Sequence, residues 1–111
     1  MADTEFSGNL WQRVRFERLQ DTADGLGGTA RMWITVDTRW AAVLSAPMIE
    51  ASYAGRVATL NRYHITLRRG ADIDLKWRAV WNTKKLSILS LDQPTTALDR
   101  VILLCQLERE Q

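Results

Sequence analysis

Arg62-Tyr63-His64-Ile65-Thr66-Leu67-Arg68-Arg69-Gly70-Ala71-Asp72-Ile73-Asp74-Leu75, just past the middle of a 111-residue chain, is the stretch from which the rest is read. Tyr63, Ile65 and Leu67 alternate with Arg62, His64, Thr66 and Arg68, the period of two that gives a strand one buried and one wet face. Tyr, Ile and Thr suit a pleated, half-buried surface, and Gly-Ala-Asp supplies the chemistry of a turn. The stretch is a β-strand stopped by a turn.

Outward from it the same alternation recurs. Residues 1–8 are polar and aperiodic and read as a mobile N-terminal arm, with residues 9–111 as one domain. A strand from Leu10 to Leu19 sets Val14 and Phe16 against Arg13, Arg15 and Glu17, with Trp11 and Leu19 on its wet face. Residues 20–30 carry three glycines and two aspartates, a composition that predicts a flexible hairpin loop around Asp24, Gly25, Gly27 and Gly28. Arg31 to Leu44 resumes the strand pattern, as two strands or one bent strand. Ser45 as N-cap, Pro47 in a first turn, Glu50 early and Gly55 as a stop predict one short helix over about residues 46–54. Residues 56–69 form a long central strand. Leu75 to Trp81, a turn at Asn82-Thr83-Lys84, Lys85 to Leu91, a loop holding Pro94, and Arg100 to Glu108 complete the chain. The expected fold is mainly β: a small antiparallel β-barrel or sandwich of six to seven strands with one short helix.

Composition narrows the function. At this length a chain buries roughly two-thirds of its unfolded surface without disulfides or metals. Fifteen Lys and Arg against thirteen Asp and Glu leave a formal charge of +2, too balanced for a concentrated duplex-binding patch. The densest basic groups, Arg13 with Arg15 and Arg18, Arg68 with Arg69, and Lys84 with Lys85, read as solvated strand faces. Cys105, alone in an apolar run, reads as a buried reduced thiol. No run approaches the ~18 apolar residues of a membrane helix, and the acidic start is unlike a basic secretory leader.

Motifs for catalysis or cofactors fail on context. Gly25-Leu26-Gly27-Gly28-Thr29-Ala30 matches G-x-G-x-x-A, but a strand follows where a dinucleotide site needs a helix. His64 has no ligand at metal-binding spacing. Asp72 and Asp74 straddle a turn, and Ser45, Ser52, Ser87, Ser90 and Cys105 lack a nucleophile's setting. No catalytic, cofactor or metal site is expected. Trp33, Trp40, Trp77 and Trp81 fall in predicted strands among Arg31, Arg39, Arg62, Arg68 and Arg78. Core packing is the plain reading; an oligomer interface and a stacking platform for single-stranded nucleic acid are the others.

The order of these segments resembles the phage head-tail adaptor, head-closure and head-tail joining proteins of long-tailed phages and gene transfer agents. The resemblance is carried by Ser7-Gly8-Asn9-Leu10 before Arg13-Val14-Arg15-Phe16, the loop Asp24 to Gly28, a Trp-led second strand ending Trp40-Ala41, and a glutamate-bearing segment at Ser45 to Ala51. Ile65-Thr66-Leu67-Arg68, the strand-turn-strand Trp77 to Ile88 and the last strand Arg100 to Cys105 follow in order. The prolines that usually open the glutamate segment are reduced to Pro47, and Asn82-Thr83 replaces a frequent turn glycine. The resemblance implies a structural protein, not an enzyme, made in the host cytoplasm and placed in the neck of a virion or phage-like particle. There it would form a homo-oligomeric ring of six- or twelve-fold symmetry between a portal-side adaptor and a tail terminator or tail-tube protein, around double-stranded DNA that passes non-specifically. By position, Ser45, Pro47, Met48, Ile49, Glu50, Tyr53 and Arg56 would form the channel or inter-ring loop. Trp11, Arg13, Arg15, Arg68 and Arg69 are the candidate subunit interface. The alternative from another class is a small β-barrel nucleic-acid-binding module using the Trp and Arg strand faces.

Overall fold

The computed structural model describes residues 12–47, 49–53, 55–70, 72–96 and 98–108, with only the backbone for 49–53, 56 and 58. The expected N-terminal arm and Trp11 lie outside them. Eight strands follow in order: β1 (Gln12–Ala23), β2 (Thr29–Ser45), β3 (Ile49–Tyr53), β4 (Arg56–Leu60), β5 (Arg62–Arg68), β6 (Arg78–Trp81), β7 (Lys84–Asp92) and β8 (Arg100–Leu107). Six of them close into an antiparallel barrel in the order β1-β2-β5-β8-β7-β6, and β3 and β4 form a separate hairpin.

The interior is filled by one side of each barrel strand. Val14 and Phe16 of β1, Ala41 of β2, Ile65 and Leu67 of β5, Ala79 of β6, Leu86 and Ile88 of β7, and Val101, Leu103 and Cys105 of β8 form one buried cluster. A barrel this small holds side chains and no lumen. The alternation read in residues 62–68 holds: Ile65 and Leu67 are buried while His64 and Arg68 are exposed. Burial pushes the Cys105 thiol up to about 12, which keeps it protonated and unreactive.

Two bulges help the sheet close. Phe16 faces Asp37 and Glu17 faces Thr35, so Val36 is an extra residue in β2; Leu89 is likewise extra in β7, between Ile88 and Ser90. Each extra residue sharpens local twist, as a closed sheet requires. Residues 31–44 are therefore one bulged strand. The connection after β1 is also shorter than the composition of residues 20–30 implies, because the β1–β2 ladder continues to Ala23 and Thr29.

The expected helix at residues 46–54 is absent. Ser45 is the last residue of β2, paired with Tyr63, and Ile49–Tyr53 pairs with Arg56–Leu60. Gly55, at φ +76°, turns the hairpin instead of ending a helix. A nine-residue helix is too short to hold on propensity alone, whereas Ile49, Tyr53, Val57 and Thr59 suit a strand. The long strand over residues 56–69 is likewise divided at Asn61. Strand β6 begins only at Arg78, since Leu75 to Trp77 form a turn in which the Trp77 N–H donates to the Asp74 carbonyl at 3.0 Å. Asn82-Thr83 alone connects β6 to β7, and Asn82 takes φ 57°, which Asn tolerates in two-residue hairpin turns.

The tryptophans divide. Trp77 and Trp81 pack against the core near opposite ends of the barrel, and Trp81 meets Tyr63 edge to face at 5.4 Å while its indole N–H donates to Gln12 Oε1 at 3.1 Å. Trp40 is 52% exposed and is not a core residue. Phe16→Ala is therefore expected to cost about 3 to 5 kcal/mol and Trp40→Ala about 1 kcal/mol or less, measured as shifts in the urea unfolding midpoint.

Candidate assembly surfaces

The barrel has two dissimilar ends. Strand β6 pairs with β1 only over Val14–Glu17 and β5 with β2 only over Ala42–Ser45. The rungs from Arg18 and Ile34 to Ala23 and Thr29 thus run on as a two-stranded arm. The radius of gyration of 16.2 Å reflects this, against about 13 Å for a compact chain of this length. The β3–β4 hairpin leaves from the other end. Its root is fixed by the Ala46 N–H donating to the Arg62 carbonyl at 2.8 Å and the Leu107 N–H donating to the Asn61 carbonyl at 2.9 Å.

At the base of the arm lies a polar clasp. Alternation places Glu17 on the outer face of β1, yet it is only 7% exposed, because the partners facing it cover it. Arg78 Nε donates to Glu17 Oε1 at 2.8 Å and Arg15 Nε to Glu17 Oε2 at 3.1 Å. Arg78 also lies 3.7 Å from Glu108, which accepts from Ser87 Oγ at 3.2 Å, and its guanidinium stacks 4.3 Å from the Trp33 ring centroid. Burial pulls the Glu17 carboxyl upward, but hydrogen bonds from Arg78 and Arg15, with their charge, outweigh it and hold the group below its usual range. The clasp joins β1, β2, β6, β7 and the end of β8. No periodicity pointed to it, since Glu17 and Arg78 meet only once the barrel closes.

The arm's tip is tied by one carboxylate. Asp24 Oδ1 accepts from the Leu26 N–H at 2.8 Å and the Gly28 N–H at 3.0 Å, and the first of these bonds holds its pKa down most. Gly25 and Gly27 take φ +80° and +87°, which side-chain-bearing residues rarely adopt. The glycines serve a turn, with a strand after it and no helix N-terminus.

Of the residues with a predicted interface role, Arg13 stacks on Trp40 at 4.8 Å and Arg15 is engaged by Glu17. Arg69 ties down the β7–β8 connection through the Leu98 carbonyl and Gln93 Oε1, with its N–H on the Asp99 carbonyl. Arg68 is exposed opposite Arg100. These residues do not form one cluster. Ser45 and Pro47 are exposed at the root of the β3–β4 hairpin; the side chains of Met48, Ile49, Glu50, Tyr53 and Arg56 lie outside the described set. Trp33, Trp40 and Trp81 each carry a cation on one face, Lys84 lying 5.1 Å from the Trp81 centroid. A base-stacking platform would need such faces free. No group of His, Cys, Asp and Glu among the described residues could hold a metal ion.

The described residues thus form a small closed barrel with an arm at one end and a hairpin at the other. Residues 7–108 match the phage head completion protein family, and the chain belongs to it. Membership carries a structural role in the head region of a virion. Similar solved structures include a chain of the native gene transfer agent particle, at 18% identity and TM-score 0.65, covering 86% of this chain and 91% of that one. Protein SF1141 from Shigella flexneri 2a, solved in solution, is 25% identical with TM-score 0.64, covering 94% of this chain and 97% of its own. Among curated proteins none matches.

Glu17→Ala, which leaves Arg78 enclosed without its main partner, is expected to cost about 3 kcal/mol. Because the folded pKa of Glu17 is depressed, its stabilisation is present above the unfolded value of about 4.3 and lost as pH falls through the folded one. Thermal unfolding between pH 7 and pH 3 should show the advantage of the wild type over Glu17→Gln shrinking below about pH 4.

Proposed function

We propose that this protein forms a ring between the portal side of a filled head and the tail, joining the two and surrounding or closing the DNA exit channel. The observation that carries the reading is family membership over nearly the whole chain, joined to a barrel with elements extending from both ends. The partners are a portal-side adaptor above, a tail terminator or tail-tube protein below, and identical subunits beside. In such a ring of six or twelve copies the protein acts by shape and docking, not catalysis.

The β3–β4 hairpin is the channel or inter-ring element of this proposal, in place of the helix-loop expected from sequence. Its anchored root supports that role, because Ala46 and Asn61 fix where it leaves the barrel while the hairpin itself joins no barrel strand. The charge pattern also fits a channel wall. Arg15, Arg31, Arg39 and Arg78 have carboxylate partners within the chain, and a formal charge of +2 is only a small net excess with which to grip a passing polyanion. A nucleic-acid-binding module would need the reverse.

Replacing residues 48–54 with a Gly-Ser turn should leave the unfolding midpoint close to wild type, yet yield particles that leak DNA or fail to take tails. An isolated subunit that unfolds on this replacement would make the hairpin part of the core and remove it from the channel. Tight duplex binding at 0.2 M salt would favour the nucleic-acid module instead.

A further inference from the structure

We propose that the tip of the β1–β2 arm of one copy seats in the groove at the opposite end of the barrel of a second copy. The inference rests on the ring reading above and assigns that ring its lateral contact. Leu26, at the apex, is 91% exposed, yet its backbone is held by the Asp24 carboxylate at 2.8 Å. A large apolar side chain presented on a tied turn is ready to bind with little ordering cost.

The groove, of about 840 Å³, lies between the end of β4, the β6–β7 turn and the end of β8. Leu60 and Leu107 supply its apolar surface and Thr83, Lys84 and Lys85 the polar surface at the hairpin end, while Arg78 and Glu108 of the clasp line its inner side. The charges are complementary. Within the tip Asp21 is neutralised by Arg31 at 3.0 Å, leaving Asp24 as the net anion. In the groove Arg78 is answered by Glu17 and Glu108, whereas among the described residues no ion pair engages Lys84 or Lys85. An arm at one end and a groove at the other cannot be filled within one barrel. Between copies they make a head-to-tail contact, the kind that closes into a ring when the rotation allows.

The test uses heads carrying the assembled protein. Leu26→Asp, at a site exposed in the monomer, should keep the wild-type melting temperature and reduce the copies retained per head at least tenfold. Leu26→Cys combined with Lys85→Cys should give, on oxidation of the assembled particles, a ladder of covalent trimers and larger species that neither single variant gives. The buried Cys105 stays out of this chemistry. Wild-type retention by Leu26→Asp, or rings that form without cross-linking in the double variant, would overturn the contact while leaving the ring reading intact. A wild-type neck whose mass corresponds to one copy would overturn both.

Discussion

The pairing of Val14–Glu17 with Arg78–Trp81 joins the first barrel strand to one that begins more than sixty residues later, and it turns a meandering sheet into a barrel. Without it β1 and β6 would be open edges, and Val14 and Phe16 would lose one wall of the interior that buries them. The pairing also brings Arg78 to Glu17 in its outermost rung. Arg78 in turn lies against Trp33 and reaches Glu108, so one cation ties the start of the arm and the end of the last strand to the barrel wall. Closure, core and arm direction thus depend on the same four rungs.

Closure also concentrates what remains available for assembly. A barrel has no edges along its wall, so the open strand edges of this chain lie on the arm and the β3–β4 hairpin, at opposite ends. Five of the exposed apolar residues lie there, Leu19, Leu26 and Met32 on the arm and Leu44 and Val57 at the hairpin end, while Trp40 and Leu89 are exposed on the barrel wall. A closed middle with open strand edges only at its ends suits a subunit that works by position between other virion components. Among the described residues no buried side-chain nitrogen or oxygen lacks a hydrogen-bond partner.

The parts of the fold legible in sequence were those fixed by neighbours a few residues apart. Tyr63, Ile65 and Leu67 announce β5 because their environment repeats every second residue, and Val14 and Phe16 do the same for β1. The helix expected at residues 46–54 shows the limit. Ser45, Pro47, Glu50 and Gly55 carry local signals shared by a helix terminus and a hairpin, and only the pairing of Ile49–Tyr53 with Arg56–Leu60 decides between them. Glu17 was legible as an outward residue but not as an enclosed one, since Arg78 and Trp33 come from other strands. Likewise nothing local separates Trp40, half exposed beneath Arg13, from Trp81, packed against Tyr63. The surroundings of the candidate interface residues were not legible either: Arg69 secures a loop, Arg15 serves the clasp, and Arg13 lies over Trp40.

The central claim is positional, that copies of this barrel stand as a ring between head and tail. Cryo-electron microscopy of DNA-filled particles assembled with the protein measures it directly. The account predicts a closed ring of six-stranded barrels coaxial with the portal, on its tail side, with the DNA path through its centre. Barrels found in the capsid shell, or a neck complete without them, would contradict it.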